Sequence, residues 1–441
     1  MVTDRLQRVL GVTFGLAVII GSTLGIGILR TPGLAAGQLG TIAAILLVWI
    51  AGGVYTLLGS VCLTELGTML PQAGGYYVYA RRAFGDSVGF AVGWTDWLTY
   101  CSVLGYISIG LAEFVGVLAP RTASAVTPVA IVALLAFVAL QWGGVRISSR
   151  FQEVATAIKF AAFLVLVIAC LMAGRAGSTE PLPIMPTTFS GVIVALQSVV
   201  ITYGGWQSAL YFTEEDTDPA RHLPRSMIGG VASVIVIYVL VNVALLRVLP
   251  IPVLAHSTLP AADAAQAVVG PNGSRAIVVL SVISLAPLLN AVMMIGTRIM
   301  YGMSRDGWLP HQAARVNAGG TPTVATLVTT VVAIGLIATG TFQKLVAIAS
   351  FFLAANYFVC CLALVVLRRR EPALARPFRA WGYPGSAWIV LAGAAAFLAS
   401  AFVADTANAV IALGLAAVGL IIRRLTISGR AIRRDADDGR S

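Results

Sequence analysis

The sequence predicts an all-α membrane protein of twelve spanning helices, with the first and the sixth broken at mid-span. Three observations carry this. Of its 441 residues 58% are hydrophobic and 11% charged, against about 25% charged in ordinary soluble domains, and mean hydropathy is +0.90. Apolar runs of the ~20 residues that a bilayer core demands recur along the whole chain. Two of those runs are interrupted by glycine, at Gly21-Ser22-Thr23-Leu24-Gly25-Ile26-Gly27 and at Tyr203-Gly204-Gly205-Trp206.

In order, the first run covers residues 10–34 and holds the first break. The second (40–69) and third (87–118) are long enough to tilt or to project beyond the lipid. The fourth (125–142) is short, and the fifth (152–173) contains Lys159. The sixth (189–212) holds the second break. The seventh (227–249), eighth (275–303), ninth (322–340) and tenth (343–367) follow, and the last two cover 386–403 and 406–424. Arginines cluster at alternate ends of these runs: Arg5 and Arg8, Arg81 and Arg82, Arg146 and Arg150, Arg221 and Arg225, Arg305 and Arg315. Arg368, Arg369, Arg370, Arg376 and Arg379 follow, then the tail arginines from Arg423 to Arg440. The opposite ends hold only Arg30, Arg121, Arg175, Arg247, Arg275 and Lys344. The excess of positive charge on one side predicts that both termini are cytoplasmic.

Five helices separate one break from the other. Residues 10–174 and 189–367 therefore read as two five-helix repeats, which an odd helix count forces into opposite orientations. Residues 386–424 supply two further helices. Residues 1–9 are a cytoplasmic N-terminus, and residues 425–441 a charged, unstructured cytoplasmic tail.

The net charge of +11 would suggest nucleic acid in a soluble protein. Here the basic residues sit at helix ends, so they read as topology signals and contacts to anionic lipid. No zinc motif, phosphate loop or nucleophile elbow is present, so no enzyme site, cofactor or metal is expected. Cys62, Cys101, Cys170, Cys360 and Cys361 all fall in apolar runs, which argues against a disulfide-linked partner. His222, His256 and His311 fall in loops, so no membrane-buried histidine relay is expected.

Unwound backbone at membrane depth persists only where it lines a cavity or is buried in protein. Paired interruptions in two halves of a chain point to a binding site for a small transported molecule. At the first break, N–H groups opening a half-helix suit an anion such as a carboxylate. Gly21-x-x-x-Gly25 also fits close helix packing. At the second break, freed carbonyls suit an ammonium group, and Tyr203 and Trp206 offer aromatic surface for gating or packing. Lys159 is the only lysine deep within a span, Lys344 lying at the edge of the tenth, and a charge there marks function by default. Snorkelling to the cytoplasmic surface is the alternative.

Asp96 could face a pocket and favour cations, or could be a hydrogen-bonded structural group. Glu65 is expected to pair at the end of the second helix, and Asn290 to join helices. Glu113 is uninformative. Glu214, Glu215, Asp218, Arg221 and Arg225 are expected to form ion pairs at the inner mouth.

The break Gly21–Gly33 resembles the first helix of the amino acid–polyamine–organocation superfamily, closest to bacterial permeases and the L-type branch. So do Glu65-Leu66, Pro71-Gln72-Ala73-Gly74-Gly75-Tyr76-Tyr77 and Ala83-Phe84-Gly85. Tyr203-Gly204-Gly205-Trp206 with Thr213-Glu214-Glu215, Pro219 and Leu223-Pro224 is the most specific piece. The stretch Arg298–Gly307 completes the set.

The resemblance implies a LeuT-like fold with alternating access. It implies that a substrate carboxylate meets amides around Thr23, Gly25 and Gly27, and that its ammonium meets carbonyls near Ile201, Thr202 and Gly204. It also implies that Lys159 fills the space of a sodium ion, making transport sodium-independent and driven by protons or by exchange. The chain departs from the family at Ile26, where relatives usually carry a small or hydroxyl residue. It departs again at Ile201, where many carry an aromatic gate. Both leave substrate size open and lean toward a neutral amino acid. A polyamine or organic-cation carrier, with Asp96 in its pocket, and an amino-acid sensor are the alternatives.

Overall fold

All twelve apolar runs form helices in the computed structural model, which describes residues 5–173, 187–339, 341–404 and 406–438. Helix α1 (Val12–Thr23) and α2 (Gly27–Gln38) share the first run and meet at a 46° bend. They are followed by α3 (Ile42–Met69), the short α4 (Tyr76–Phe84), α5 (Asp86–Leu118), α6 (Val126–Trp142) and α7 (Val145–Ala173). Helix α8 (Phe189–Thr202) stops at the second break, and the run resumes as a 3-10 segment, Trp206–Phe212. Beyond it lie α9 (Pro219–Val248), the short α10 (Ile251–His256) and α11 (Pro260–Val269), α12 (Pro271–Arg305), α13 (Thr323–Thr339), α14 (Phe342–Arg370), α15 (Gly385–Ala404) and α16 (Thr406–Asp438). Eight helical segments among the described residues are long and apolar enough to cross a membrane, and the bent α1–α2 pair makes nine. Helix α6, α13 and residues 406–421 of α16 are apolar but shorter.

Several boundaries differ from the sequence reading. Helix α7 starts at Val145 and α9 at Pro219, seven or eight residues before their apolar runs. An apolar run reports the thickness of hydrocarbon, whereas helical hydrogen bonding continues into polar sequence. His222 consequently sits in the first turn of α9, His256 in α10 and His311 in a 3-10 turn, not in loops. The tail was expected to be unstructured, yet α16 continues to Asp438. Its sequence past Thr426 contains no proline and a single mid-helix glycine, Gly429, so nothing in it stops a helix strongly.

The centre of the bundle is α12 and α5, whose most apolar windows are 72% and 67% buried, against 28% for α15 at the periphery. Helix α5 packs on α12, α14 and α4, and α9 packs on α3, α1 and α7. Buried polar residues tie these helices together. The Asn290 amide of α12 donates to Gln152 Oε1 (2.9 Å) and the Ser148 carbonyl (3.1 Å) of α7, and accepts from Gln141 of α6 at 2.7 Å. Glu65 of α3 is fully buried and holds Arg368 of α14 at 2.8 Å, Arg376 at 3.2 Å and the Ala380 amide at 2.6 Å. Both residues join helices as expected.

Candidate functional site

The two breaks meet face to face. Gly205 has φ +111°, and a Cβ there would lie 2.6 Å from the Ser22 carbonyl oxygen. Only glycine fits both the left-handed backbone and this approach. Gly205→Ala is expected to cost about 1–3 kcal/mol through backbone strain alone, read as a lowered Tm of the purified protein. Across the same seam the hydroxyls of Thr31 and Thr202 are 2.7 Å apart, and a Cβ on Gly27 would touch the Thr202 side chain at 2.9 Å.

Breaking α1 at Thr23 orphans its last carbonyls, and side chains of other helices answer two of them. Leu24 N–H still reaches Ile20 at 2.9 Å. The Gly21 carbonyl accepts from Lys159 Nζ at 2.9 Å, and the same ammonium donates to Ser284 of α12 at 2.9 Å. Tyr238 Oη lies 2.6 Å from the Thr23 carbonyl and 3.0 Å from that of Thr202, bridging both breaks. Lys159 is fully buried, so it does not snorkel. Helix α7 also grips α1 one turn earlier, where Thr156 donates to the Ala17 carbonyl at 3.0 Å.

On the other side of the break the amides are free. Among the described residues no protein acceptor meets the N–H of Gly25, Ile26 or Gly27, which open α2 at its positive dipole end. Likewise no protein donor meets the carbonyls of Tyr203 and Gly204. The glycines of the first break have different jobs. A Cβ on Gly21 would collide with Gln152 and Thr156 at 2.4 and 2.5 Å, so Gly21 serves close packing. A Cβ on Gly25 would meet nothing nearer than 3.9 Å. Ile26 is half-buried beside Gly110 of α5.

The three aromatic and gate positions point in different directions. Tyr203 is buried, donates to the Trp49 carbonyl at 3.1 Å and packs on Tyr238 with ring centroids 4.8 Å apart. Trp206 meets Tyr357 of α14 edge-on at 5.5 Å. Ile201 is 51% exposed and lines a cleft of about 220 Å³ with Ser350 and Phe351 of α14, Phe397 of α15 and Asn408 of α16. Asp96 is fully buried and bonds Tyr211 in the 3-10 segment, not residues 203–205.

The face carrying the N-terminus is sealed. The amides of Val9 and Leu10 both reach the Glu215 carbonyl, at 3.0 and 2.9 Å, and Phe14 meets Phe212 edge-on at 5.1 Å. Arg298 of α12 pairs with Glu215 through two hydrogen bonds of 2.9 and 3.0 Å, both side chains fully buried. Its guanidinium also lies over Phe212. Arg305 pairs with Glu214 at 2.6 Å, and Glu214 accepts from the Ala73 amide. The acidic cluster thus pairs mainly with α12, while Arg221 stays near Asp218 at 3.7 Å. Arg298 is the residue that reading the cluster alone overlooks. As a lone charge within an apolar run it demanded a partner, and that demand was the available signal. At the opposite face a polar cavity of about 410 Å³ opens between α2, α5, α6, α13 and α14, lined by Arg30, Glu113, Thr127, Thr341 and Gln343.

A sequence model of the family described as amino acid permease matches residues 12–439, nearly the whole chain. The chain belongs to the amino acid permease family. Among curated relatives of this permease, b(0,+)-type amino acid transporter 1 of Mus musculus is 28% identical over 389 residues, covering 86% of this chain and 79% of the relative. Asc-type amino acid transporter 1 of Mus musculus is 29% identical over 389 residues, covering 85% and 73%. The serine/threonine exchanger SteT of Bacillus subtilis (strain 168) is 25% identical over 424 residues, covering 95% and 96%. The permease and this bacterial relative therefore align almost end to end, and the resemblance read from the breaks and the Thr213–Pro224 segment holds along the chain.

Proposed function

We propose that the permease is a sodium-independent amino-acid exchanger of the cytoplasmic membrane, working by alternating access on substrates with neutral side chains. The carrying observation is that free amides at Gly25, Ile26 and Gly27 and free carbonyls at Tyr203 and Gly204 lie on the two breaks that touch at Gly205 and Gly27. An α-amino acid has one group for each: its carboxylate takes the amides, and its ammonium takes the carbonyls. No carboxylate hydrogen-bonds to either break among the described residues, so nothing there would hold a second positive charge, which disfavours a polyamine. In this reading Thr23 and Thr202 flank the head group. Ile26 bounds the side chain apolarly, Ile201 stands outside the head-group seam in its cleft with α14, α15 and α16, and Tyr203 and Trp206 back the moving half-helices. Lys159 stands where a coupling cation would sit. Twelve spans in a five-plus-five inverted repeat, with two helices added and both termini cytoplasmic, complete the architecture. Exchange is preferred to symport because the relatives aligned over nearly the whole chain include a named exchanger.

The test is uptake of labelled neutral amino acids into sodium-free proteoliposomes. Vesicles preloaded with unlabelled amino acid are expected to take up label, and empty ones are not, even with an inward proton gradient. Proton-driven accumulation in empty vesicles would replace exchange by symport. Dependence on sodium would remove the role given to Lys159.

A further inference from the structure

Three carboxyl side chains among the described residues are fully buried: Glu65, Glu215 and Asp96. Two are neutralised by arginine, Glu65 by Arg368 and Arg376, and Glu215 by Arg298. Asp96 has no cation. Its Oδ2 accepts from Tyr211 Oη at 2.9 Å, and its Oδ1 has no protein partner. The titratable groups around it are all neutral donors or acceptors: Tyr100 of α5 itself, Tyr211 of the 3-10 segment, Tyr76 at the start of α4, and the Cys360 thiol of α14. The Tyr211 ring lies between Tyr100 and Tyr76, at centroid distances of 5.3 and 5.7 Å, and the hydroxyls of both neighbours are buried without a partner.

An ionised carboxylate in these surroundings bears the full cost of leaving water with no charge to offset it. The neutral acid instead accepts from Tyr211 at one oxygen and carries an O–H at the other, with the free Tyr100 and Tyr76 oxygens as acceptors nearby. We propose that Asp96 is a proton-binding site that is occupied when the N-terminal face is sealed and empties when the 3-10 segment leaves α5. That the segment moves rests on the alternating-access reading above. Tyr211 is the reporter in this arrangement: it sits on the mobile half-span, four residues before Glu215 of the seal, and withdrawing it breaks the one bond Asp96 has and lets water in. The sealed conformer binds the additional proton, so lowering pH favours it and raising pH favours opening. The proton enters and leaves by the same face, so it gates exchange without driving it.

Infrared spectra of the purified protein test the site without requiring transport. The carbonyl stretch of a protonated carboxylic acid is expected at neutral pH, lost in Asp96→Asn and shifted to higher frequency in Tyr211→Phe, where the bond to the carbonyl oxygen is gone. The second variant keeps the assignment testable should the first fold poorly. Absence of the band in the wild type, or a band unaltered by both substitutions, would overturn the proposal. In proteoliposomes wild-type exchange is expected to vary severalfold with alkaline pH, and Asp96→Asn to be flat over the same range. Superimposable profiles would also overturn it. Failure of exchange altogether, with the band behaving as expected, would refute the exchanger reading and leave the proton site standing.

Discussion

Lys159→Ala is expected to lower exchange by about ten- to a hundredfold in a protein that still inserts and folds. The physical reason lies in the break. In an unbroken helix the Gly21 carbonyl would accept from the Gly25 amide. Here that amide is turned away and the carbonyl relies on Lys159, which also holds Ser284. Removing the ammonium leaves the buried Gly21 carbonyl bare, at about 1–3 kcal/mol. It also cuts a side-chain hydrogen-bond bridge between α12 and the last turn of α1. The loss falls on the geometry of residues 25–27 and so on the head-group site, not on the bulk of the bundle. Lys159→Arg is not expected to rescue, because a planar guanidinium cannot place one compact cation between two converging carbonyls. Initial exchange rates beside Tm separate the two effects. Full transport by Lys159→Ala would refute the assignment, and a large drop in Tm with unchanged residual kinetics would make Lys159 a purely structural group.

The two breaks and a buried lysine inside an apolar span were legible before any coordinates, because each violates a rule of the bilayer. Glycine runs have no reason to interrupt an apolar span, and charge has no reason to enter one. What Lys159 touches was not legible, since both partners are backbone oxygens and carry no sequence signature. The directions of Ile201, Tyr203 and Trp206 were not legible either. Around a break the helical period is lost, so spacing no longer says which face a residue takes. Tyr203 turned to Trp49 and Tyr238, while Ile201 turned to α14, α15 and α16. Gly21 and Gly25 form one motif in sequence, yet in space the first is a packing position and the second an open one. Asp96 was recognised as a buried acid with two readings, but two of the three phenols around it come from other elements, Tyr76 from α4 and Tyr211 from the distant 3-10 segment.

The second large effect is expected at Arg298. Arg298→Met leaves Glu215 fully buried and unpaired, which costs about 3–5 kcal/mol, whereas Arg305→Ala breaks a partly exposed pair worth about 1 kcal/mol or less. The readout is hydrogen exchange at the Val9 and Leu10 amides, which are bonded to the Glu215 carbonyl. They should exchange at least a hundredfold faster in Arg298→Met and nearly normally in Arg305→Ala. Equal protection in Arg298→Met and wild type would show that the pair does not hold the seal. The double variant Arg298→Met/Glu215→Leu separates stability from function. Replacing a buried ion pair by apolar groups of similar volume is often neutral or stabilising, so the seal and the Tm should recover. Exchange should not recover. When the face opens, water enters the seam and repays the hydration of both charges, so the closed and open states of an ion pair stay close in free energy. Two apolar side chains lose by hydration what the charges gain, and the seam would stay shut. A double variant that is stable, protected at Val9 and Leu10, and at least tenfold slower in exchange would show that the pair is there to let the face open. One that exchanges at the wild-type rate would reduce the pair to ordinary packing.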